Sequence, residues 1–342
     1  MTPEVLVILL FVVATAVAIV ARRLRIPYTV ALVAAGLLLG ALHLLDAFHL
    51  TEALLFTVFL PGLIFEAAFH LEFRGLWRDR IAVGSLALPG VLGSVGITAA
   101  LLVGTSTLFG FAGPFTWSAA LIFGALIAAT DPIAVVAIFR AVGAPRRLST
   151  LMEAESLFND GTAIVVFSLV LALATGQALG TGELILSFLT VVGMGALVGG
   201  VLGIAIAQVI QWIDDPMIEI TLTTLAAYGS FIVAEQLGFS GVIATVVAGL
   251  LCGNYTARTG MSPATRLAVE SFWEYVAFAL NSLVFLLIGL EVRIAGLVAA
   301  WQPIVIAYLA VLIARGVVTG SIWALLSQSR WRFPARWAAL LT

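Results

Sequence analysis

Apolar stretches recur along the whole chain, most of them near the roughly 20 residues that a helix needs to cross the hydrocarbon of a bilayer. Eleven are read from the pattern: 4–21, 27–45, 51–71, 81–103, 115–139, 149–174, 183–211, 216–236, 239–254, 271–291 and 299–327. Those at 27–45 and 239–254 are short enough to lie less tilted or to be partly re-entrant, and a twelfth begins at Trp337. Polar residues gather in brief connections, with no soluble domain or low-complexity linker between them. The pattern predicts an all-α polytopic membrane protein, a single transmembrane domain over residues 1–342 with about 11 helices.

Composition leads to the same class. Of 342 residues 62% are hydrophobic and only 10% charged, where soluble domains carry about a quarter charged residues. So few charges cannot solvate a surface of this size, and lipid must cover most of it. The net charge of −2 suggests neither nucleic acid nor an acidic partner. A single cysteine, Cys252, excludes an intrachain disulfide and a cysteine metal cluster.

Arginine placement tests the helix count independently, since basic residues favour the cytoplasmic side. There is no lysine. If Arg22, Arg23 and Arg25 lie inside, alternation also puts inside the connections holding Arg74, Arg78, Arg80, Arg140, Arg146, Arg147, Arg258, Arg266, Arg330, Arg332 and Arg336, which makes 14 of the 16 basic residues. Arg293 falls outside and Arg315 lies within a span. The N-terminus is then outside, and because positive charge follows 4–21 rather than preceding it, the stretch reads as a retained first helix rather than a signal peptide. Small-residue runs such as Gly193-Met194-Gly195-Ala196 and Gly199-Gly200 read as close helix packing, with a dimer contact through 183–211 as the sharper alternative.

Ionisable side chains inside a bilayer are costly and usually face a cavity or a partner. The first such element is Ala128-Ala129-Thr130-Asp131-Pro132. Pro132 cannot donate to the carbonyl four residues back, and it disfavours helical geometry at Asp131. A carboxylate and free backbone oxygens therefore coincide deep in a span, where irregular backbone is tolerated only if buried in protein or lining a cavity. Broken helices of this kind build ion sites in secondary transporters. The bland alternative is an ordinary proline kink.

The second element runs from Glu153 to Thr162. On a helix Ser156 and Asp160 share one face and Glu155 and Asn159 share the next, so four oxygen-bearing side chains lie on adjoining stripes. A polar helix start at the interface would explain Glu153 but explains Asn159 and Asp160 poorly. Burial favours the protonated form of a carboxylate, whereas a bound monovalent cation favours the charged form. One site can then hold a proton or the cation but hardly both, and alternating access to it is antiport by competition. Asn159 contributes an oxygen without a second titrating charge, which favours one proton per cation and an electroneutral cycle. Arg315 is the intramembrane base expected to pair with a buried acid, Glu155 being the preferred partner. Glu66 either lines an entry path or pairs locally.

These residues resemble the monovalent cation:proton antiporter family 1, the sodium/proton exchangers, of bacterial type. The resemblance rests on Thr130-Asp131-Pro132, on Glu155-Ser156-Leu157-Phe158-Asn159-Asp160-Gly161-Thr162, on Asn281-Ser282-Leu283-Val284-Phe285-Leu286-Leu287-Ile288-Gly289-Leu290, on Phe65-Glu66-Ala67 and on Ala314-Arg315. It implies an inverted-repeat antiporter fold with a helix broken at Thr130-Asp131, and a homodimer held by a scaffold domain. Scaffold helices would fill 1–80 and 183–291, the latter with the dimer contact. A first core bundle with the ion site would fill 81–174, and a second would begin at 299–342. By the resemblance a monovalent cation, sodium above all, meets Asp131, Asp160, Ser156 and the Thr130 backbone, with Glu155 reached through water and meeting Arg315. No cofactor is implied beyond the transported cation and proton, no enzymatic activity, and the setting is a bacterial plasma membrane. The family's Gly-Gly-Leu-Arg-Gly-like helix does not occur before Thr342, so its C-terminal helices are expected to be missing here. A potassium/proton antiporter of the same family is the alternative. An intramembrane aspartyl protease, from a different class, fits less well because its Asp residues follow other motifs.

Overall fold

The computed structural model describes residues 3–24, 26–42, 51–109, 115–130, 132, 135–136, 139, 143–176, 180–329, 331 and 333–341. Among these the regular structure is helical throughout. In chain order the helices are α1 Pro3–Leu24, α2 Tyr28–Ala41, α3 Glu52–His70, α4 Phe73–Leu108, α5 Trp117–Ile127, α6 Arg146–Ala174, α7 Thr181–Ile210, α8 Pro216–Gln236, α9 Gly241–Thr256, α10 Pro263–Glu291, α11 Ile294–Ala299, α12 Trp301–Leu326 and α13 Ala335–Leu340. Helices α3, α4, α6, α7, α8, α10 and α12 are long and apolar enough to span a membrane, and α2, α5 and α9 are shorter apolar helices. This is an integral membrane protein.

Each apolar stretch of the sequence contains a helix, but several ends differ from expectation. Helix α4 begins at Phe73 and α10 at Pro263, so parts of the connections expected at 72–80 and 255–270 are helical. Arginine is a good helix former and does not stop a helix on leaving the apolar layer. Ser262 starts α10 by accepting the Thr265 N–H at 3.3 Å, with Pro263 at the first helical position, where its missing N–H costs nothing. Helix α5, by contrast, stops at Ile127 well short of residue 139.

Among the described residues four spans carry a π turn, at Leu55–Phe59, Leu86–Gly90, Leu225–Gly229 and Cys252–Thr256. The second contains Pro89, whose ring cannot be fitted into an unbroken α-helical ladder.

Packing sorts the helices into two groups. Val91 and Val95 of α4 meet Ala125 and Ala128 of the α5 region and Ala163 and Val166 of α6, while Ala99 and Leu102 meet Ala120 and Ala310. Helices α4, α5, α6 and α12 thus share one interior. In the other group α2 lies along α10, and α9 lies along both α3 and α7. A Cβ on Gly36 would run into the Leu286 carbonyl and one on Gly289 into the Val33 carbonyl, so α2 and α10 touch backbone to backbone there. Gly195 and Gly199 likewise press on the backbone of Ser240 and Ala244, so these two glycines serve intramolecular packing. A larger cluster, including Ile64, Leu157, Val242, Val246 and Val318, joins the two groups.

The arginine-rich end is also pinned. Asp79, buried at a non-helical residue of α4, takes two N–H donors of Arg147, the shorter at 2.6 Å, and Arg147 lies 5.7 Å from the Trp337 ring centre. Charge-assisted bidentate contacts of this kind are among the stronger hydrogen bonds, and this one fixes the first turn of α6.

Candidate functional site

The interruption after α5 leaves backbone carbonyls without their usual helical donors, and buried carbonyls must be satisfied somewhere. Ala128 closes α5, its N–H reaching Ala125 O at 3.4 Å, and helical bonding resumes where Val136 N–H donates to Pro132 O at 2.8 Å. Between them, α6 supplies the missing donors. Asn159 Nδ2 donates to Ala128 O at 2.8 Å, and the Ser156 hydroxyl donates to Thr130 O. These two side chains, three residues apart on α6, are therefore aimed at the break, and their geometry follows from the helical period.

The same amide nitrogen of Asn159 lies 3.4 Å from Thr130 Oγ1 and 3.5 Å from Glu155 Oε1. Arg315, from the middle of α12, points Nη1 at Thr130 Oγ1 at 3.3 Å and Nη2 at Leu341 O at 3.1 Å, and stands 3.6 Å from Glu155 Oε1. Glu155, Ser156 and Asn159 are buried. Ala128, Glu155, Asn159 and Arg315 line a cavity of about 20 Å³, together with Leu86, Gly90, Val91, Ser94, Val318 and Thr319. That is enough for one water molecule. Asn159 Oδ1 is buried without a hydrogen-bond donor among the described residues.

Of the residues singled out from the sequence, the structure brings Thr130, Glu155, Ser156, Asn159 and Arg315 together. Asp160 lies on α6 one turn beyond Ser156 and is half-buried. Asp131 lies outside the described residues, so its approach to Asp160 is not described. Two further residues gain detail. The Asn159 amide nitrogen braces the broken helix, which leaves its oxygen, the atom expected to face an ion, uncommitted. Glu66 pairs locally, with Oε1 3.1 Å from His70 Nδ1.

Sequence reasoning passed over Thr319 and Ser94, which also line the cavity. Thr319 was legible in principle, four residues after Arg315 and so on its face. Ser94 carried no signal, because which face of α4 meets α6 is decided by the π turn before it.

The chain belongs to the sodium/hydrogen exchanger transmembrane family, whose model matches residues 7–342. It is 42% identical over 294 residues to the Na(+)/H(+) antiporter ApNhaP of Aphanothece halophytica, a match covering 86% of this chain and 55% of that protein. It is 37% identical over 350 residues to the Na(+)/H(+) antiporter NhaH of Halobacillus dabanensis, covering 98% of this chain and 85% of that one. The chain spans a little over half the length of several curated relatives that it matches, among them ApNhaP and the low-affinity antiporter NhaS1 of Synechocystis, of which 54% is covered. Its fold is that of the sodium proton antiporter MjNhaP1 from Methanocaldococcus jannaschii, with a TM-score of 0.78 over 98% of this chain and 80% of the other at 22% identity. The family is one of transporters, not enzymes.

Proposed function

We propose that this chain carries the ion site of a secondary antiporter that exchanges a monovalent cation, sodium by preference, for protons. The observation that carries the reading is the broken segment at 128–132, braced by Ser156 and Asn159 beside the pair of buried Glu155 with half-buried Arg315 and a water-sized cavity. A preformed frame of this kind holds carboxylates where a proton and a cation compete. In the proposed cycle Asp160 and Asp131 bind the cation with Ser156 and the Thr130 backbone, and a single proton taken up by this pair in the cation's place releases it. Glu155 and Arg315 neutralise each other and keep the frame rigid. The relatives named as Na(+)/H(+) antiporters support sodium as the cation.

With one amide and one carboxylate at 159–160, the cycle is proposed to move one proton per cation and no net charge. The core is proposed to comprise 81–174 and 299–342, and the scaffold 1–80 and 183–291, in keeping with the two packing groups. A homodimer in a bacterial plasma membrane, N-terminus outside, completes the proposal.

The test is proton flux in proteoliposomes driven by an imposed sodium gradient. Wild type should exchange, and Asp160→Asn should lose the flux while remaining folded. Full exchange by that variant would refute the site. Potassium in place of sodium decides between the two members of the class.

A further inference from the structure

Glu219 lies outside the site above, one turn into α8, and is completely enclosed at 0% exposure. Neither of its carboxylate oxygens has a hydrogen-bond partner among the described residues. The neutral donors on the same seam are already committed. Trp273 on α10 gives its indole N–H to Thr223 Oγ1 at 3.1 Å, and the Thr223 hydroxyl, one turn beyond Glu219, donates to Ile220 O at 2.9 Å.

The charged surroundings offer no relief. Asp214 and Asp215, at the start of α8 just before Glu219, are both of like sign. Asp214 accepts from Thr265 of α10 at 3.1 Å, and Asp215 caps α8 through the N–H groups of Met217 and Ile218. On α10, Arg266 closes on Glu270 at 2.7 Å, and Glu274 is exposed. Helix α7 carries no basic residue anywhere along its length. A fully enclosed carboxylate with no hydrogen-bond donor is far costlier ionised than as the neutral acid.

We infer that Glu219 is a second proton-binding site, loaded at neutral pH, around which the α8–α10 seam closes as around an apolar residue. Release of that proton at alkaline pH forces the seam to admit water, so occupancy here sets the pH range over which these helices stay packed. The inference stands apart from the exchange reading, since no step of it uses Asp160, Asp131 or a metal ion.

Infrared spectra of the purified full chain test it directly. Wild type at neutral pH should show a carboxylic-acid C=O band that is unchanged by sodium and missing from Glu219→Gln. Thermal melts give the functional arm. Glu219→Gln should match wild type in acid, where the carboxyl is neutral both folded and unfolded, and exceed it by several degrees at neutral and alkaline pH, because the unfolded wild type ionises there while the fold opposes it. Glu219→Met, neutral and of similar length, should behave as the Gln variant does. Identical acid bands in wild type and both variants overturn the assignment. So does failure of both neutral variants to fold at neutral pH, since that requires a carboxylate charge at this position.

Discussion

Arg315 and Glu155 form a pair whose two members should not be equivalent to its absence. Removing one leaves an uncompensated buried charge, a loss of about 3–5 kcal/mol, whereas replacing both with apolar or neutral groups of similar volume is often near neutral. Arg315→Met should therefore lower the melting temperature of the purified protein sharply, and adding Glu155→Gln should recover most of the loss. If the double variant melts no higher than the single one, the pair is not the unit that matters. Asn159 makes a separable prediction. Its bond to the Ala128 carbonyl is buried, and leaving such a group unpaired costs about 1–3 kcal/mol. Asn159→Leu should be destabilised by that amount in the same melts. Asn159→Asp should keep the shape but add a titrating charge, so that exchange in proteoliposomes becomes sensitive to an imposed membrane potential where wild-type exchange is not.

At the scale of helices, the places where backbones touch are the least tolerant. Gly36 faces the Leu286 carbonyl across the α2–α10 crossing, and overpacking of this kind typically costs about 1–3 kcal/mol. Gly36→Val should depress the melt by that amount, whereas Gly96, with open space around the position of a Cβ, should accept alanine without loss. The helices themselves were legible because length and hydropathy in a bilayer leave few alternatives, and the break at Thr130-Asp131-Pro132 was legible because proline removes a donor. The extensions of α4 and α10 were not, since arginine is equally at home in a helical turn and in a loop. Nor were the π turns, which local sequence barely encodes: only Leu86–Gly90 holds a proline. The frame around the break was half legible. Helical spacing put Ser156 and Asn159 on adjoining stripes, but that they donate to Thr130 O and Ala128 O depends on how α6 lies against α5. Glu219 went unremarked because a glutamate one turn after Asp215-Pro216 reads as an ordinary acidic first turn, and only the packing of α10 shows it enclosed.

For the whole molecule, the distribution of arginines implies an orientation that can be measured. Cys252 is fully buried and in a helix, so Cys252→Ala gives a background in which single cysteines report sidedness. In that background Arg74→Cys and Arg258→Cys should be labelled by a membrane-impermeant reagent only from the cytoplasmic face, and Arg293→Cys only from the opposite one. Labelling of Arg74→Cys and Arg293→Cys from the same side would overturn the proposed topology. The joining of the two helix groups by one apolar cluster, with Leu157 and Val318 on one side and Ile64, Val242 and Val246 on the other, gives any relative movement a greasy surface to slide on.

The Leu86–Gly90 turn holds one residue more than an α-helix would use over the same rise, so the two halves of α4 are out of phase by about 100° relative to a continuous helix. Deleting a single residue there would let the ladder close in ordinary register and swing Asp79 around the helix axis, away from Arg147. The grip on the first turn of α6 would then be lost through a change about two turns distant. A one-residue deletion thus acts on this span as a screw acts on a threaded rod, turning what lies beyond it without cutting anything.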